Sequence, residues 1–198
     1  PGQDPASDTE RLRVVTTIDP KAQKAAVDAM REQMPKAAPS VLGGLASIVP
    51  GDGAIRAVYG GADFAKRPQN AVTQDRLQAG STFKTFTLIA AMKTGKVALS
   101  STFDGHSPQF FKEFEDPSSD DPVLRRGGVN NAGGSSYGRI DVVKATASSV
   151  NTVFAQLNII ATPEATVRAA TDAGISTPLS TNDGSVLGTD YATILDMA

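Results

Sequence analysis

The chain has 198 residues, of which 40% are hydrophobic and 20% charged, a composition typical of one globular domain or a large part of one. Its net charge of −2 argues against a nucleic acid or an anionic membrane surface as a partner. Because it contains no cysteine, a disulfide framework and a thiolate metal site are excluded. No apolar run reaches the length of a membrane span.

The first part of the chain predicts a helix followed by a β-hairpin. Residues 14–18 form a short β-type run, and Asp19-Pro20 then predicts the start of a helix that ends near Met34. The apolar runs 42–49 and 54–59 flank a Pro-Gly-Asp-Gly turn, which predicts a hairpin.

The rest of the chain predicts several helices and one long irregular stretch. Residues 82–92 contain no helix breaker, and Gly95 is placed to end that helix as a C′ glycine. Residues 100–138 are rich in Ser, Asp, Pro and Gly, which predicts a long stretch with little regular structure. Such a stretch usually lines a site or is mobile. Further helices are predicted over residues 139–147, 151–160, 163–174 and 189–198.

The helix at residues 82–92 carries a single charge, Lys84, three residues after Ser81. This spacing places both side chains on one face of a helix, and Gly80-Ser81 supplies a turn and an N-cap. An apolar helix without a polar face is usually buried, and burial would lower the lysine pKa. The pair therefore suits a nucleophile and its base. The alternative is a core helix whose lysine extends to solvent.

A second polar group, Ser149 and Asn151, interrupts the later helical pattern. Residues two apart on a continuous helix point to different faces, so these two side chains converge only if the chain turns between two helices. A hydroxyl and a carboxamide together can pass protons and hold a peptide-like substrate. The alternative is a helix cap, which serine and asparagine commonly form.

Taken together, these residues resemble the transpeptidase domain of penicillin-binding proteins, whose serine-x-x-lysine set is a known signature. The flanking segments resemble the bifunctional class A members in order and spacing: residues 15–23 (Val-Thr-Thr-Ile-Asp-Pro-Lys-Ala-Gln), residues 58–64 (Val-Tyr-Gly-Gly-Ala-Asp-Phe) and Ser136-Tyr137-Gly138. Leu187-Gly188, with Asp196-Met197-Ala198, is similar to the stretch that follows their second motif. The resemblance runs from about residue 14 to residue 198, and the polar residues 1–13 are expected to be a linker. It implies an α/β (α+β) fold like that of penicillin-binding proteins and serine β-lactamases, with an antiparallel sheet and an all-helical lobe.

The resemblance also implies a mechanism and a location. Ser81 would attack the carbonyl between two terminal D-alanines of a peptidoglycan stem peptide, with Lys84 as base, Ser149 as proton relay and Asn151 as orienting residue. β-Lactam antibiotics would acylate the same serine, and no metal or cofactor is implied. The enzyme would act on the extracytoplasmic face of the bacterial membrane, with an anchor upstream of residue 1.

The chain departs from the family pattern in two respects. Ala79 and Thr85 stand where the family often has prolines. The third family motif, Lys-Thr-Gly on a sheet strand, is not in its expected place, since Lys93-Thr94-Gly95 ends the nucleophile's own helix. We therefore expect residues 14–198 to be the N-terminal part of the domain, with the remainder either truncated or supplied as a second chain. The letters Ser180-Thr181-Asn182 also match the second motif, but they are interpreted as a coincidence.

Other functions fit the same residues. A serine D,D-carboxypeptidase or a β-lactamase would pass the acyl group to water. A catalytically silent penicillin-binding-protein-like module would keep the residues without the reaction.

Three other groups of residues have alternative interpretations. His106, the only histidine, lies in a Gly/Pro loop, where a role in a Ser-His-Asp triad is not favoured. A cation site could be suggested by three acidic residues, Asp116, Asp120 and Asp121, but a solvated acidic loop is favoured. Three aromatic residues could line a cleft or pack beneath the loop: Phe110, Phe111 and Phe114.

Overall fold

The structure, a computed structural model, describes residues 13–34 and 41–198. Its internal contacts divide the chain into two units, Pro1–Val72 and Thr73–Ala198, which are described separately. The predicted linker at residues 1–13 lies outside the described residues except for Arg13.

In the first unit, helix α1 spans Pro20–Gln33 and begins as predicted. Proline at the first position needs no N–H partner, and the Asp19 carboxylate accepts a hydrogen bond from the Ala22 N–H at 2.7 Å. The predicted strand over residues 14–18 is wrong. The segment has isolated bonds to its neighbour, such as Thr17 Oγ1 to Ile55 O at 2.8 Å, instead of a strand ladder.

The predicted hairpin of the first unit is confirmed. Strands β1 (Leu45–Ile48) and β2 (Ile55–Tyr59) pair antiparallel, although β1 is shorter than expected. Gln23 of α1 bonds the β2 backbone at Val58 twice, once as donor and once as acceptor, each at 2.8 Å. These bonds attach the helix to the strand.

The second unit is mainly helical. Its core lies among α2, α5 and α6, whose packed apolar side chains include Ala90, Ala91, Val153, Leu157 and Ala169. The helices of this unit are α2 (Lys84–Lys93), α3 (Pro122–Arg125), α4 (Val142–Ala147), α5 (Asn151–Ala161) and α6 (Pro163–Asp172). The predicted helices at 82–92, 151–160 and 163–174 are thereby confirmed, within a few residues at their ends.

Six short strands of the second unit form three antiparallel pairs. The pairs are β3 (Leu77–Gln78) with β8 (Tyr191–Ala192), β4 (Thr102–Asp104) with β7 (Arg139–Asp141), and β5 (Gln109–Phe110) with β6 (Gly128–Val129). The remainder of 100–138 consists of turns and short helical segments, so the expectation of little regular structure is confirmed.

Three sequence predictions for the second unit need correction. Residues 139–141 form β7 instead of a helical turn, because they pair with β4. Helix α4 begins only after Asp141, whose carboxylate caps it by accepting from the Lys144 N–H at 2.7 Å. Residues 189–198 form β8 and a turn instead of a helix. Helix α2 is not buried on all sides, since Ile89 and Met92 are each 39% exposed.

No helix among the residues that the structure describes is long and apolar enough to cross a bilayer.

Candidate active site

Ser81 lies on a tight 3-10 turn, Gly80–Phe83, that leads directly into α2. The turn is anchored by Phe83, which is fully buried and packs edge-on against Phe86 at 5.1 Å between ring centroids. Ser81 does not form the expected N-cap, because Ala79 holds that position without a side-chain bond. Ser81 itself is exposed, so its hydroxyl is open to an incoming molecule.

Lys84, the first residue of α2, is 4% exposed and extends toward the start of α5. Four oxygen atoms surround its Nζ: Ser81 Oγ at 3.2 Å, Ser149 O at 2.8 Å, Ser149 Oγ at 3.0 Å and Asn151 Oδ1 at 2.5 Å. The structure therefore brings together all four side chains that the sequence singled out. The alternative of a lysine extending to solvent does not fit this burial.

The types of these oxygen atoms limit how the lysine can bond. Two of them, the Ser149 carbonyl and Asn151 Oδ1, can only accept a hydrogen bond. A neutral amine has two N–H groups, which match those two acceptors, and one lone pair. The lone pair is then available to a hydroxyl proton from Ser81 or Ser149. This arrangement can deprotonate a serine.

Burial also changes the protonation of Lys84. Desolvation disfavours the charged ammonium and lowers the pKa of Lys84 from 10.5 to about 8. The buried Phe154 ring, whose centroid lies 5.5 Å from Nζ, is part of these apolar surroundings. The lowered pKa makes the neutral amine far more abundant at neutral pH than it is for an ordinary lysine.

Ser149 lies in the connection between α4 and α5, as the sequence analysis required for convergence. Its φ of 51° is in the left-handed region, which costs a non-glycine residue about 1–2 kcal/mol. The turn is held by Ser149 N–H to Thr146 O at 3.1 Å and by Val150 N–H to Ala145 O at 2.9 Å. Val150 is buried, which fixes the turn on the core. Both the carbonyl and the hydroxyl of Ser149 thereby face Lys84.

Asn151 is oriented by a contact that the sequence analysis missed. Its Nδ2 donates to the Asn130 carbonyl at 2.7 Å, so its Oδ1 is the atom turned toward Lys84. Asn130 lies in an irregular Asn-Asn-Ala-Gly-Gly stretch, which has no periodicity or motif to mark it. Nothing in the local sequence could have identified this partner.

The turn that carries Ser81 also lies against the backbone at Gly188. The Gly80 N–H donates to Gly188 O at 3.1 Å, and a Cβ on Gly188 would lie 1.9 Å from Gly80 O. Gly188 has a φ of 74°, so both its conformation and its surroundings require glycine. In the sequence, Leu187-Gly188 stands out only through the family resemblance, which does not indicate this contact with Gly80.

The other candidate residues lie outside this cluster. His106 contacts Asp104, at 2.5 Å from Nδ1 to Oδ1, and has no hydrogen bond to Ser81 in the part of the chain that the structure describes. Asp116 accepts from the Ser118 N–H and hydroxyl, and Asp121 caps α3. Among the described residues, no group of His, Cys, Asp or Glu side chains could hold a metal ion.

The aromatic group is divided between surface and interior. Phe110 is 49% exposed and lies beneath the Arg126 guanidinium at 5.0 Å, whereas Phe114 packs against the core next to Phe111.

Two triplets match family motifs by their letters, Lys93-Thr94-Gly95 and Ser180-Thr181-Asn182, and both have structural roles elsewhere. Residues 93–95 end α2, with Gly95 at a φ of 72°, and Ser180 bonds Asp190 in a loop.

Comparison with known proteins identifies related sequences over most of the chain. The family model for the penicillin binding protein transpeptidase domain matches residues 47–185. Penicillin-binding protein 1A of Mycolicibacterium smegmatis is 32% identical over 96% of this chain and 24% of its own length. Penicillin-binding protein 1A of Mycobacterium tuberculosis is 31% identical over 96% of this chain and 23% of its own length. The chain thus spans about a quarter of the length of these two relatives.

Solved structures agree with the sequence matches. The PonA1 protein from Mycobacterium tuberculosis in complex with penicillin V superposes with a TM-score of 0.78 and 29% identity, over 93% of this chain and 48% of that one. An imipenem acyl-enzyme complex of penicillin-binding protein A from M. tuberculosis shares the fold, with a TM-score of 0.72 at 20% identity. The predicted fold class and the resemblance to class A proteins are confirmed.

Proposed function

The chain belongs to the penicillin-binding protein transpeptidase family, and on that premise we propose that it forms peptidoglycan cross-links through an acyl-enzyme on Ser81. The observation that carries the proposal is the buried Lys84 amine, 3.2 Å from Ser81 Oγ and in contact with Ser149 and Asn151. A role in the bacterial cell wall follows from the family. The reaction would take place on the extracytoplasmic side of the membrane.

In the first half-reaction, Ser81 Oγ bonds to the carbonyl carbon of the penultimate D-alanine of a stem peptide. Its proton passes to the neutral Lys84 amine. The amide C–N bond then breaks, and the departing D-alanine nitrogen takes a proton from the Ser149 hydroxyl, which Lys84 restores. Asn151 holds Lys84 and offers its carboxamide to the substrate backbone.

In the second half-reaction, the amine of a neighbouring stem peptide attacks the Ser81 ester. The new amide forms as the ester C–O bond breaks, and the proton that the attacking amine loses passes through Ser149 and Lys84 to Ser81 Oγ. The Ser81 backbone N–H donates to the developing oxyanion, and that position at the start of a helix also favours negative charge. A second donor is expected from a strand that carries Lys-Thr-Gly, and the described residues have that sequence only at the end of α2.

β-Lactams are proposed to acylate the same serine. PonA1, which is 29% identical to this chain, has been solved in complex with penicillin V, and this supports the same ligand class here. The amide of a β-lactam would occupy the position of the D-Ala-D-Ala bond. Its C–N bond would break as Ser81 Oγ bonds to the carbonyl carbon, and the resulting ester on Ser81 would await an attacking amine.

The test is to incubate the protein, expressed at the full length of its gene, with a fluorescent penicillin and to map the adduct by mass spectrometry. One adduct per molecule on Ser81 is expected, and Ser81→Ala should abolish it. Exposed Thr85 lies outside the cluster, so Thr85→Ala is the matched control and should label normally.

Cross-linked product from a donor and an acceptor peptide then identifies the transpeptidase. Sustained β-lactam turnover would instead indicate a β-lactamase, release of D-alanine without cross-links a carboxypeptidase, and absence of labelling a silent module.

A further inference from the structure

Asn131 is a buried polar residue in the loop after β6, and the reaction described above does not use it. It is 4% exposed, and its side chain makes three hydrogen bonds, all to backbone atoms. Its Oδ1 accepts from the Thr152 N–H at 3.0 Å, while its Nδ2 donates to Gly105 O and Ser135 O, each at 3.0 Å. One side chain therefore joins the start of α5 to two separate loops.

The bond to Thr152 supplies the side-chain capping bond that α5 lacks at its N-terminus. The first N–H groups of a helix have no partner within the helix and usually bond the side chain of the N-cap residue. The N-cap of α5 is Val150, which has no side-chain oxygen and makes no capping bond. Asn131, 21 residues earlier in the chain, provides the acceptor instead. It is a helix cap delivered from another segment.

The same loop also holds the residue before Thr152. The Asn130 carbonyl accepts from Asn151 Nδ2 at 2.7 Å. Two consecutive loop residues thus bind two consecutive residues of α5, and the side chain of Asn131 fixes that part of the loop. We propose that Asn131 is a positioning residue that acts through Asn151, keeping Asn151 Oδ1 directed at Lys84 Nζ.

This inference rests on the proposed function, since it concerns the same acylation. Without Asn131, the Asn130 carbonyl and the first turn of α5 can shift relative to Lys84. A displacement of about 1 Å at a catalytic centre can lower a rate by about 100-fold. We therefore expect Asn131→Ala to reduce the rate constant of acylation by a β-lactam by about 10- to 100-fold.

The test is a double-mutant cycle that separates positioning from general stability. Acylation by fluorescent penicillin is timed for the wild type, Asn131→Ala, Asn151→Ala and the double variant, each at the full length of the gene. Asn158→Ala is the matched control. Asn158 is also fully buried and lies on α5, but it bonds Thr166 and Asp183 about two turns beyond Asn151. Thermal melting of every variant monitors folding.

The proposal expects Asn131→Ala to slow acylation in the wild-type background and to add less than about twofold in the Asn151→Ala background. Asn158→Ala should lower the melting temperature and leave acylation near the wild-type rate. Wild-type acylation by folded Asn131→Ala, or effects of Asn131→Ala and Asn151→Ala that simply multiply, would overturn it.

If Asn131→Ala does not melt cooperatively, Asn131→Ser is judged by the same criteria, because its shorter side chain cannot make all three bonds. Failure of the wild type to acylate would overturn the proposed function and this inference together, whereas the other adverse outcomes leave the proposed function intact.

Discussion

At the scale of single residues, the site depends on keeping one amine out of water. Lys84 is 4% exposed, and this burial lowers its pKa to about 8. Because folding lowers this pKa, the buried ammonium costs stability below about pH 8, and the cost disappears as the pH rises toward 10.5. The fold thus holds a desolvated lysine, at a cost in stability, at the point where the proposed reaction needs a base.

The acylation rate is therefore expected to rise with pH through about 8 and then level off, because the neutral amine is the reactive form. The measurement is the rate constant for fluorescent penicillin between pH 5.5 and about 9.5, with circular dichroism to verify folding. Lys93→Ala, at the exposed end of the same helix, should leave the profile unchanged. A rate still rising steeply at pH 9.5 would contradict the assignment of Lys84 as the base.

At the scale of elements, the turn before α2 is positioned by backbone contact as well as by its own sequence. Gly188 lies against Gly80, with no room for a Cβ. The turn that carries Ser81 is therefore positioned by a segment more than 100 residues later in the chain.

Gly188→Ala is expected to displace the Ser81 turn and to lower the acylation rate by about 100-fold. Gly95→Ala is the control, since Gly95 has a similar φ of 72° but open space where a Cβ would lie. Both variants bear a left-handed strain of about 1–2 kcal/mol, so their melting temperatures should both fall. Equal acylation by the two variants would show that the close approach has no role in positioning Ser81.

The segment after β8 is held by one carboxylate. Burial disfavours the charged form of Asp196, but bonds from the Thr177 hydroxyl, the Ser176 N–H and hydroxyl, and the Thr193 N–H outweigh it. The pKa of Asp196 is consequently well below its usual range. The stability that this adds is complete above about pH 4, the unfolded pKa, and is lost as the pH falls below that value.

Asp196→Asn replaces one acceptor oxygen by a donor amide and should cost about 1–3 kcal/mol of unfolding free energy at pH 7. Urea denaturation measures the loss, which should shrink toward pH 3. Asp120→Asn, on an exposed loop, is the control and should change stability by less than about 0.5 kcal/mol. An Asp196→Asn protein as stable as the wild type at pH 7 would show that these bonds contribute no net stability.

At the scale of the whole molecule, the described residues contain the proposed nucleophile, the proposed base and one proposed backbone donor, while a second oxyanion donor is proposed on a Lys-Thr-Gly strand. One missing oxyanion donor typically costs about 10²- to 10³-fold in rate. We expect the 198-residue chain alone to acylate at least that much more slowly than the protein at the full length of its gene. Circular dichroism should first establish that the shorter chain is folded, and equal rates would place both donors within residues 1–198.

The sequence alone determined the features that neighbouring residues encode. The Asp19 cap of α1, the Pro-Gly-Asp-Gly hairpin and the three-residue spacing of Ser81 and Lys84 depend on local backbone geometry, and each was predicted correctly. Local signals also misled where a distant partner prevails: residues 139–141 became a strand because β4 pairs with them, and residues 189–198 did not become a helix.

Only the tertiary structure decided what surrounds the amine. Ser149 reaches Lys84 from 65 positions away, Asn130 and Asn131 hold α5 from an unpatterned loop, and Gly188 lies against Gly80. These contacts depend on how α2 and α5 pack around a common core. No local pattern of residues records such packing, because its free energy comes from burying side chains that are remote in the chain.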